Sequence, residues 1–316
     1  MTHRAPAADS YVPIAETHRS GYAESVHHGA VVALAEDGSV AWSVGDVDGA
    51  IYPRSALKPL QAVTMLDLGL DVPDDLLAVV CASHDGRAEH LAAVERLLAA
   101  AGLTPGDLEN TPELPLDADA ADAVIRRGDG PSAITQNCSG KHAAMLATCV
   151  INGWATAGYI DAVHPLQQRI TADLLARTGR VAHVGVDGCG APTAAVPLIG
   201  LARAVRQLAV DRHRVHAAMT RCPEMVGGPE RDVTRLMRLI PGLMAKDGAE
   251  GVYVAALPDG RAVALKVADG ASRARLPVMI AALRSLGVDV AGDILSEHVM
   301  GHGRPVGRVV ALVGQP

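Results

Sequence analysis

The stretch Gly251–Gly270, GVYVAALPDGRAVALKVADG, reads as two strands of largely apolar residues joined by a Pro-Asp-Gly-Arg turn. A second stretch, His28–Asp46, HGAVVALAEDGSVAWSVGD, repeats the design around Glu-Asp-Gly. A last apolar strand, GRVVALVG, spans Gly307–Gly314. Between these, LAAVERLLAAAG (Leu91–Gly102), HPLQQRITADLLARTG (His164–Gly179), PLIGLARAVRQLAV (Pro197–Val210) and PERDVTRLMRLIPG (Pro229–Gly242) carry helical spacing with Pro or Asp starts and Gly stops. The economical architecture is an α+β sandwich. A single domain over residues 1–316 closes an antiparallel sheet from roughly 11–52 and 250–316, covers it with helices, and sets a helical lobe from roughly 60–240 against it across a cleft.

A chain of 316 residues that is 49% hydrophobic can bury a large core, which excludes a disordered protein. The net charge of −7, with no basic run or aromatic-interleaved basic patch, argues against a nucleic-acid surface and leaves small polar substrates open. The N-terminal stretch MTHRAPAADSYVPIAETHRSG has no apolar signal-peptide core, and no apolar run is long enough to cross a bilayer, so a cytoplasmic protein with no membrane partner is expected. Five cysteines without a CxxC pair suit free thiols or metal ligands in a reducing compartment. Cys81 and Cys149 read as core. The 28 basic residues divide into 24 Arg and only four Lys, Lys58, Lys141, Lys246 and Lys266. Arginine stays protonated at any working pH, whereas a buried amine can lose its proton, so each lysine is a candidate base, proton shuttle or neutral ligand.

In RSALKPLQA (Arg54–Ala62), Ser55 and Lys58 stand three apart at the start of a helical run and share one face of its first turn. A serine needs a neighbouring base to attack a carbonyl, and a desolvated lysine can be that base. The alternative is a capping serine beside a surface amine. Lys266, in the alternating AVALKVADG, points to solvent or into the cleft. Ser83, in VVCASHDG at an expected strand-to-loop transition, is its candidate partner in a second Ser-Lys pair.

RSALKPLQ, CASHDG, NCSGKHAAML, GVDGCGAPT, MVGGPERD, KDGAEGVYVAAL and ALKVADGASR occur in the order and approximate spacing found in the asparaginase II family, the rhizobial-type L-asparaginases. From about Val12 to the C-terminal strand the sequence resembles that family. The resemblance implies a fold similar to serine β-lactamases, penicillin-binding proteins and glutaminases, and a homodimer. It implies two Ser-Lys tandems, Ser55 with Lys58 and Ser83 with Lys266, and Zn²⁺ held by Cys138, Lys141 and Cys189. Asp85, Arg87 and Ala88 depart from the SGEP common in relatives, and Leu60 replaces a frequent Phe, which bears on substrate preference. The metal set makes chemical sense, because two thiolates and a neutral amine leave a zinc position open for water or substrate, a role arginine cannot fill. The alternative is that both cysteines are small buried apolar residues. His84 and His142 adjoin Ser83 and Lys141, Asp187 precedes Cys189 by two and suits a substrate ammonium or the ordering of its turn, and Arg54 suits a substrate carboxylate. The expected activity is hydrolysis of L-asparagine to L-aspartate and ammonia. Another amide substrate (glutamine, a peptide or a β-lactam) or a non-catalytic zinc scaffold are the competing readings.

Overall fold

Both hairpins form, and they become neighbours in one sheet. The computed structural model describes residues 10–290 and 297–314, so part of the N-terminal stretch read above lies outside the described residues. The strands are β1 (Val12–Arg19), β2 (Tyr22–Leu34), β3 (Val40–Val44), β4 (Ala50–Ile51), β5 (His183–Val186), β6 (Pro192–Pro197), β7 (Met244–Gly248), β8 (Val252–Ala256), β9 (Ala262–Val267), β10 (His298–Gly301) and β11 (Arg304–Ala311). The helices are α1 (Lys58–Asp67), α2 (Asp74–Val80), α3 (Ala88–Ala100), α4 (Ala118–Arg126), α5 (Ser139–Ile151), α6 (Pro165–Thr178), α7 (Leu198–Val210), α8 (Arg214–Arg221), α9 (Pro223–Val226), α10 (Asp232–Leu239) and α11 (Arg275–Ser285).

The main sheet runs β10-β11-β1-β2-β9-β8-β7, with β3 also paired to β2, and its pairings are antiparallel. Val31 faces Leu265 and Val32 faces Ala264, so the N- and C-terminal hairpins meet along β2 and β9. These strands are apolar almost without interruption because α7 and α11 both pack against β9 and the centre of the sheet is covered on both faces. Strand β7 ends the sheet and is buried along its whole length, Lys246 and Asp247 included. The expected start of the second sheet segment near residue 250 therefore misses it.

Helix α5 forms the centre of the helical layer, buried from Ser139 to Cys149 and packed on α1, α2, α3 and α6. Its second residue, Gly140, lies against α2: a Cβ there would fall 2.4 Å from the Val79 carbonyl oxygen. Glycine thus lets the N-terminus of α5 sit beside the end of α2. A small sheet, β4-β6-β5, carries the turn after β5, where Asp187 N–H donates to Ala191 O (2.8 Å) and Gly190 takes a φ of +90°. Among the described residues no helix is long and apolar enough to cross a membrane.

Candidate active site

The site begins at a 3₁₀ turn, Arg54–Leu57, that leads directly into α1. In a 3₁₀ turn residues three apart eclipse one another, so Ser55 and Lys58 project from one side, and the Lys58 N–H closes the turn on Ser55 O. Arg54 enters the turn with φ +54°, a left-handed conformation that costs a non-glycine residue energy. Its side chain is fixed by Nε donating to Asp187 Oδ1 at 2.5 Å. Strand β7 comes unusually close: a Cβ on Gly248 would lie 2.2 Å from Pro53 O, so only glycine admits the turn at this height.

Lys58 is fully buried, and its Nζ donates to Ala82 O and, at 3.2 Å, to Ser83 Oγ. Ser83 follows the end of α2, a helix rather than the expected strand, and is tied by its N–H to Val226 O at 3.0 Å. A second buried lysine reaches the same hydroxyl, and it is Lys246, with Nζ 3.0 Å from Ser83 Oγ. The Lys246 amine also donates to Asp247 Oδ1 (2.6 Å) and Asp247 O (2.8 Å). Burial pushes the Lys246 ammonium down to about 8, Asp247 opposes that, and Lys58 adds to it. Burial alone would raise the Asp247 carboxyl, yet Lys246, Arg231 and Arg275 together hold it well below the usual carboxylate range.

The expected partner of Ser83, Lys266, is not there. Its Nζ donates to Glu250 O and, at 2.6 Å, to Val267 O. The reason is register: Lys246 lies opposite Val254, whereas Lys266 lies opposite Val252 on β9, two strands inward from β7. Two strands amount to a lateral offset of about 10 Å, beyond the reach of the side chain. Lysine scarcity flagged Lys246 as much as Lys266, but its setting, LMAKDGAEG, is too short and polar to read as a buried strand.

The thiol cluster adjoins the lysines. Cys138 caps the N-terminus of α5, Cys189 lies in the glycine-rich turn, and both are buried with Ala191. Lys141 Nζ donates to Cys189 Sγ at 3.3 Å. A hydrogen bond from Cys189 is the main reason the Cys138 thiol is held well below its ordinary range; burial opposes this, and Lys58 and Lys141 reinforce it. The same bond, with burial adding to it, pushes the Cys189 thiol up, and the Cys138 thiol donates to Asn137 Oδ1 at 3.2 Å. Burial would lower Lys141, but Cys189, Cys138 and Asp187 outweigh it and raise the ammonium. Asp187, which burial would raise, is drawn down by Lys141 and Arg54. Two thiols and an amine converging from two elements form a donor set that fits a thiolate-binding metal such as zinc, with proton release on binding.

The two histidines are turned into the protein. His84 Nε2 meets Ser139 Oγ at 2.9 Å while its Nδ1 accepts from Gly86 N–H at 3.1 Å, which occupies both ring nitrogens. His142 Nδ1 meets the Tyr159 hydroxyl at 2.8 Å, leaving Nε2 buried without a protein partner among the described residues. Burial holds both rings neutral, with His90 and Lys58 adding for His84, and Lys141 and Lys58 for His142. Sequence reasoning missed Asp247 and Arg231, although both lie in motifs that were singled out, because nothing in their spacing indicates what they touch.

A continuous line of groups thus runs from Arg54 and Asp187 through Lys141, Cys189 and Cys138 to Lys58, Ser83, Lys246 and Asp247. The family model for L-asparaginase II matches residues 15–311. The chain belongs to the L-asparaginase II family. Membership makes it a hydrolase acting on amides. No curated protein matches the chain. Among solved structures, it is similar to a β-lactamase from Mycobacterium bovis (13% identity, 82% of this chain and 94% of the other, TM-score 0.39). It is also similar to a putative β-lactamase from Bacteroides dorei (17%, 82% and 92%, TM-score 0.42). Mglu in its native form matches at 13% identity over 84% of this chain and 66% of its own, with a TM-score of 0.37. These superpositions are too loose to carry the argument; the antiparallel sheet with its helical layer is read from the strand order itself.

Proposed function

We propose that this member of the family hydrolyses the side-chain amide of L-asparagine to L-aspartate and ammonia through a serine ester. The observation that carries this reading is the Ser83 hydroxyl held between two buried lysine amines, 3.2 Å from Lys58 and 3.0 Å from Lys246, beside the turn that bears Ser55. A neutral Lys246 spends its two N–H groups on Asp247 and accepts the Ser83 proton. Ser83 in turn accepts from Lys58, and a proton passed along this line leaves Lys58 free to take the one on Ser55. Ser55 Oγ then attacks the amide carbon. The proton returns through Lys58 and Ser83 to the departing nitrogen, ammonia leaves, and water hydrolyses the ester by the same route in reverse.

Arg54 and Asp187, already paired, meet the substrate's carboxylate and ammonium. Cys138, Lys141 and Cys189 would hold zinc, which supplies a Lewis-acidic centre beside the serine and lysine groups. The family resemblance supports a homodimer. The test is ammonia release from asparagine with a glutamine control, run on wild type and Ser55→Ala. Turnover that survives in Ser55→Ala and vanishes in Ser83→Ala transfers the nucleophile's role to Ser83; turnover of glutamine alone changes the substrate.

A further inference from the structure

Arg231 touches neither serine nor either lysine, yet it joins the segments that bring them together. It follows the loop 227–230 that leaves α9 and occupies the N-cap position of α10. Its Nη2 donates to Asp247 Oδ2 at 2.8 Å and its Nη1 to Asp85 Oδ1 at 3.3 Å. Asp85 lies two residues after Ser83, and its N–H donates to Gly227 O at 2.7 Å. The loop is pressed against this segment: Gly228 has a φ of +147°, and a Cβ there would fall 1.9 Å from Asp85 Oδ2. Asp247 divides its oxygens, Oδ1 to Lys246 at 2.6 Å, Oδ2 to Arg231 at 2.8 Å and to Arg275 at 3.6 Å. By strand alternation Lys246 and Asp247 start toward opposite faces of β7, the last strand of the sheet, yet the Lys246 amine reaches Asp247 O and Oδ1.

We propose that Arg231 is a positioning residue for the serine–lysine relay: by occupying the outer oxygen of Asp247 and bridging to Asp85, it keeps Lys246 turned to Ser83 and able to give up its proton. The inference rests on the relay described above. A carboxylate facing only an ammonium holds the proton on that ammonium; one already shared with guanidinium groups holds it less firmly. The charged and polar groups that face Lys246 are Asp247 on its own strand, Lys58 from α1, Ser83 from the segment after α2, Arg231 from the loop before α10, and Arg275 from α11 through Asp247. The Cys81 thiol, pushed up to about 12 chiefly by burial, is uncharged there. Lys58 and Arg231 therefore oppose an ammonium at Lys246, and Asp247 favours it.

The scarcity of lysine makes this measurable without any substrate. Protein labelled with ¹³C at the lysine ε-carbon gives four signals, and Lys246→Arg identifies the one from Lys246. Arg231→Met should move the titration midpoint of that signal upward by about one pH unit, because a positive neighbour is lost and Asp247 turns more fully to the lysine. Asp85→Asn should move it the other way, because Arg231 is released to Asp247 and a negative charge is removed. Arg231→Lys, which keeps the charge but cannot bridge two carboxylates, should fall between wild type and Arg231→Met. A midpoint unchanged in both Arg231→Met and Asp85→Asn overturns the proposal. If the Met variant collapses all four signals to one ordinary lysine position it has unfolded, and the sign of the Asp85→Asn shift decides alone. An absence of ammonia release from asparagine in wild type overturns the proposed activity but leaves this titration intact, so the two failures are distinguishable.

Discussion

Replacing Lys246 by Met should abolish turnover and at the same time stabilise the protein at neutral pH. The Lys246 ammonium titrates at about 8 in the fold against an ordinary value of 10.5, with burial as the main cause. At about 1.4 kcal/mol per tenfold, that difference corresponds to about 3 kcal/mol by which the fold disfavours the charged form. The sign follows from proton counting. Between about 8 and 10.5 the unfolded chain holds more protons on this amine than the folded one, so stability rises with pH across that window. Below it the penalty is present in full. Wild type should thus gain about 2–3 kcal/mol between pH 7.5 and 10 from this group, and Lys246→Met, which keeps Asp247 paired with Arg231 and Arg275, should lack that gain. Urea unfolding midpoints of both proteins across this pH range provide the assay, and subtracting one curve from the other cancels the remaining titrating groups. Two parallel curves would show that Lys246 is not held in a proton-poor state and would remove the basis of the relay.

Three further outcomes follow from the geometry. Lys246→Arg should be as inactive as Lys246→Ala because a guanidinium cannot accept the Ser83 proton, whereas Lys266→Arg should keep near-wild-type ammonia release; the opposite pattern would return Lys266 to the site. Gly140→Ala should cost about 1–3 kcal/mol of stability in urea, since the new methyl meets the Val79 carbonyl at 2.4 Å and α5 must back away from α2; an unchanged or higher midpoint would mean the packing yields freely. Metal analysis should find about one zinc per chain in wild type and little in Cys138→Ala or Cys189→Ala, with occupancy falling as pH drops because the thiols and the Lys141 amine must lose protons to bind; a metal-free wild type at pH 8 refutes the ligand set.

What the sequence revealed depended on how far each element declared itself locally. The hairpins at residues 28–46 and 251–270 were legible because turn chemistry and apolar runs agree there, and α3, α6, α7 and α10 because their periodicity is regular. Strand β1 lies within the sheet segment expected from roughly residue 11, but Pro13 and the polar Glu16, Thr17 and His18 give it no strand pattern of its own. It becomes a strand only through pairing with β11 on one side and β2 on the other, with a register shift between Pro13 and Ala15. The Ser55–Lys58 and Cys138–Lys141 spacings are helical, and each pair lies at the start of a helix, although the Lys58 amine bonds Ser83 and the Lys141 amine bonds Cys189. The partner of Ser83 was not legible, because alternation says which face a strand residue takes but not how many strands separate it from a target. Lys246 could be placed only by knowing that β7 is the last strand.

The sheet order imposes a timetable on synthesis. Strand β2 is complete at Leu34, yet its long-range neighbour β9 begins at Ala262 and the second neighbour of β1, β11, at Arg304. At about 5–20 residues per second, Val31, Val32, Ala33 and Leu34 wait on the order of ten to forty seconds before the strand that covers them leaves the ribosome. During that interval the first hairpin is an apolar ribbon with an open edge, the kind of surface that pairs with another nascent chain. Lys246 emerges only shortly before β9, so the relay is assembled in the last stage of folding, and expression at lower temperature or with a chaperone that shields extended apolar segments should raise the yield of active protein more than substitutions in the helical layer would.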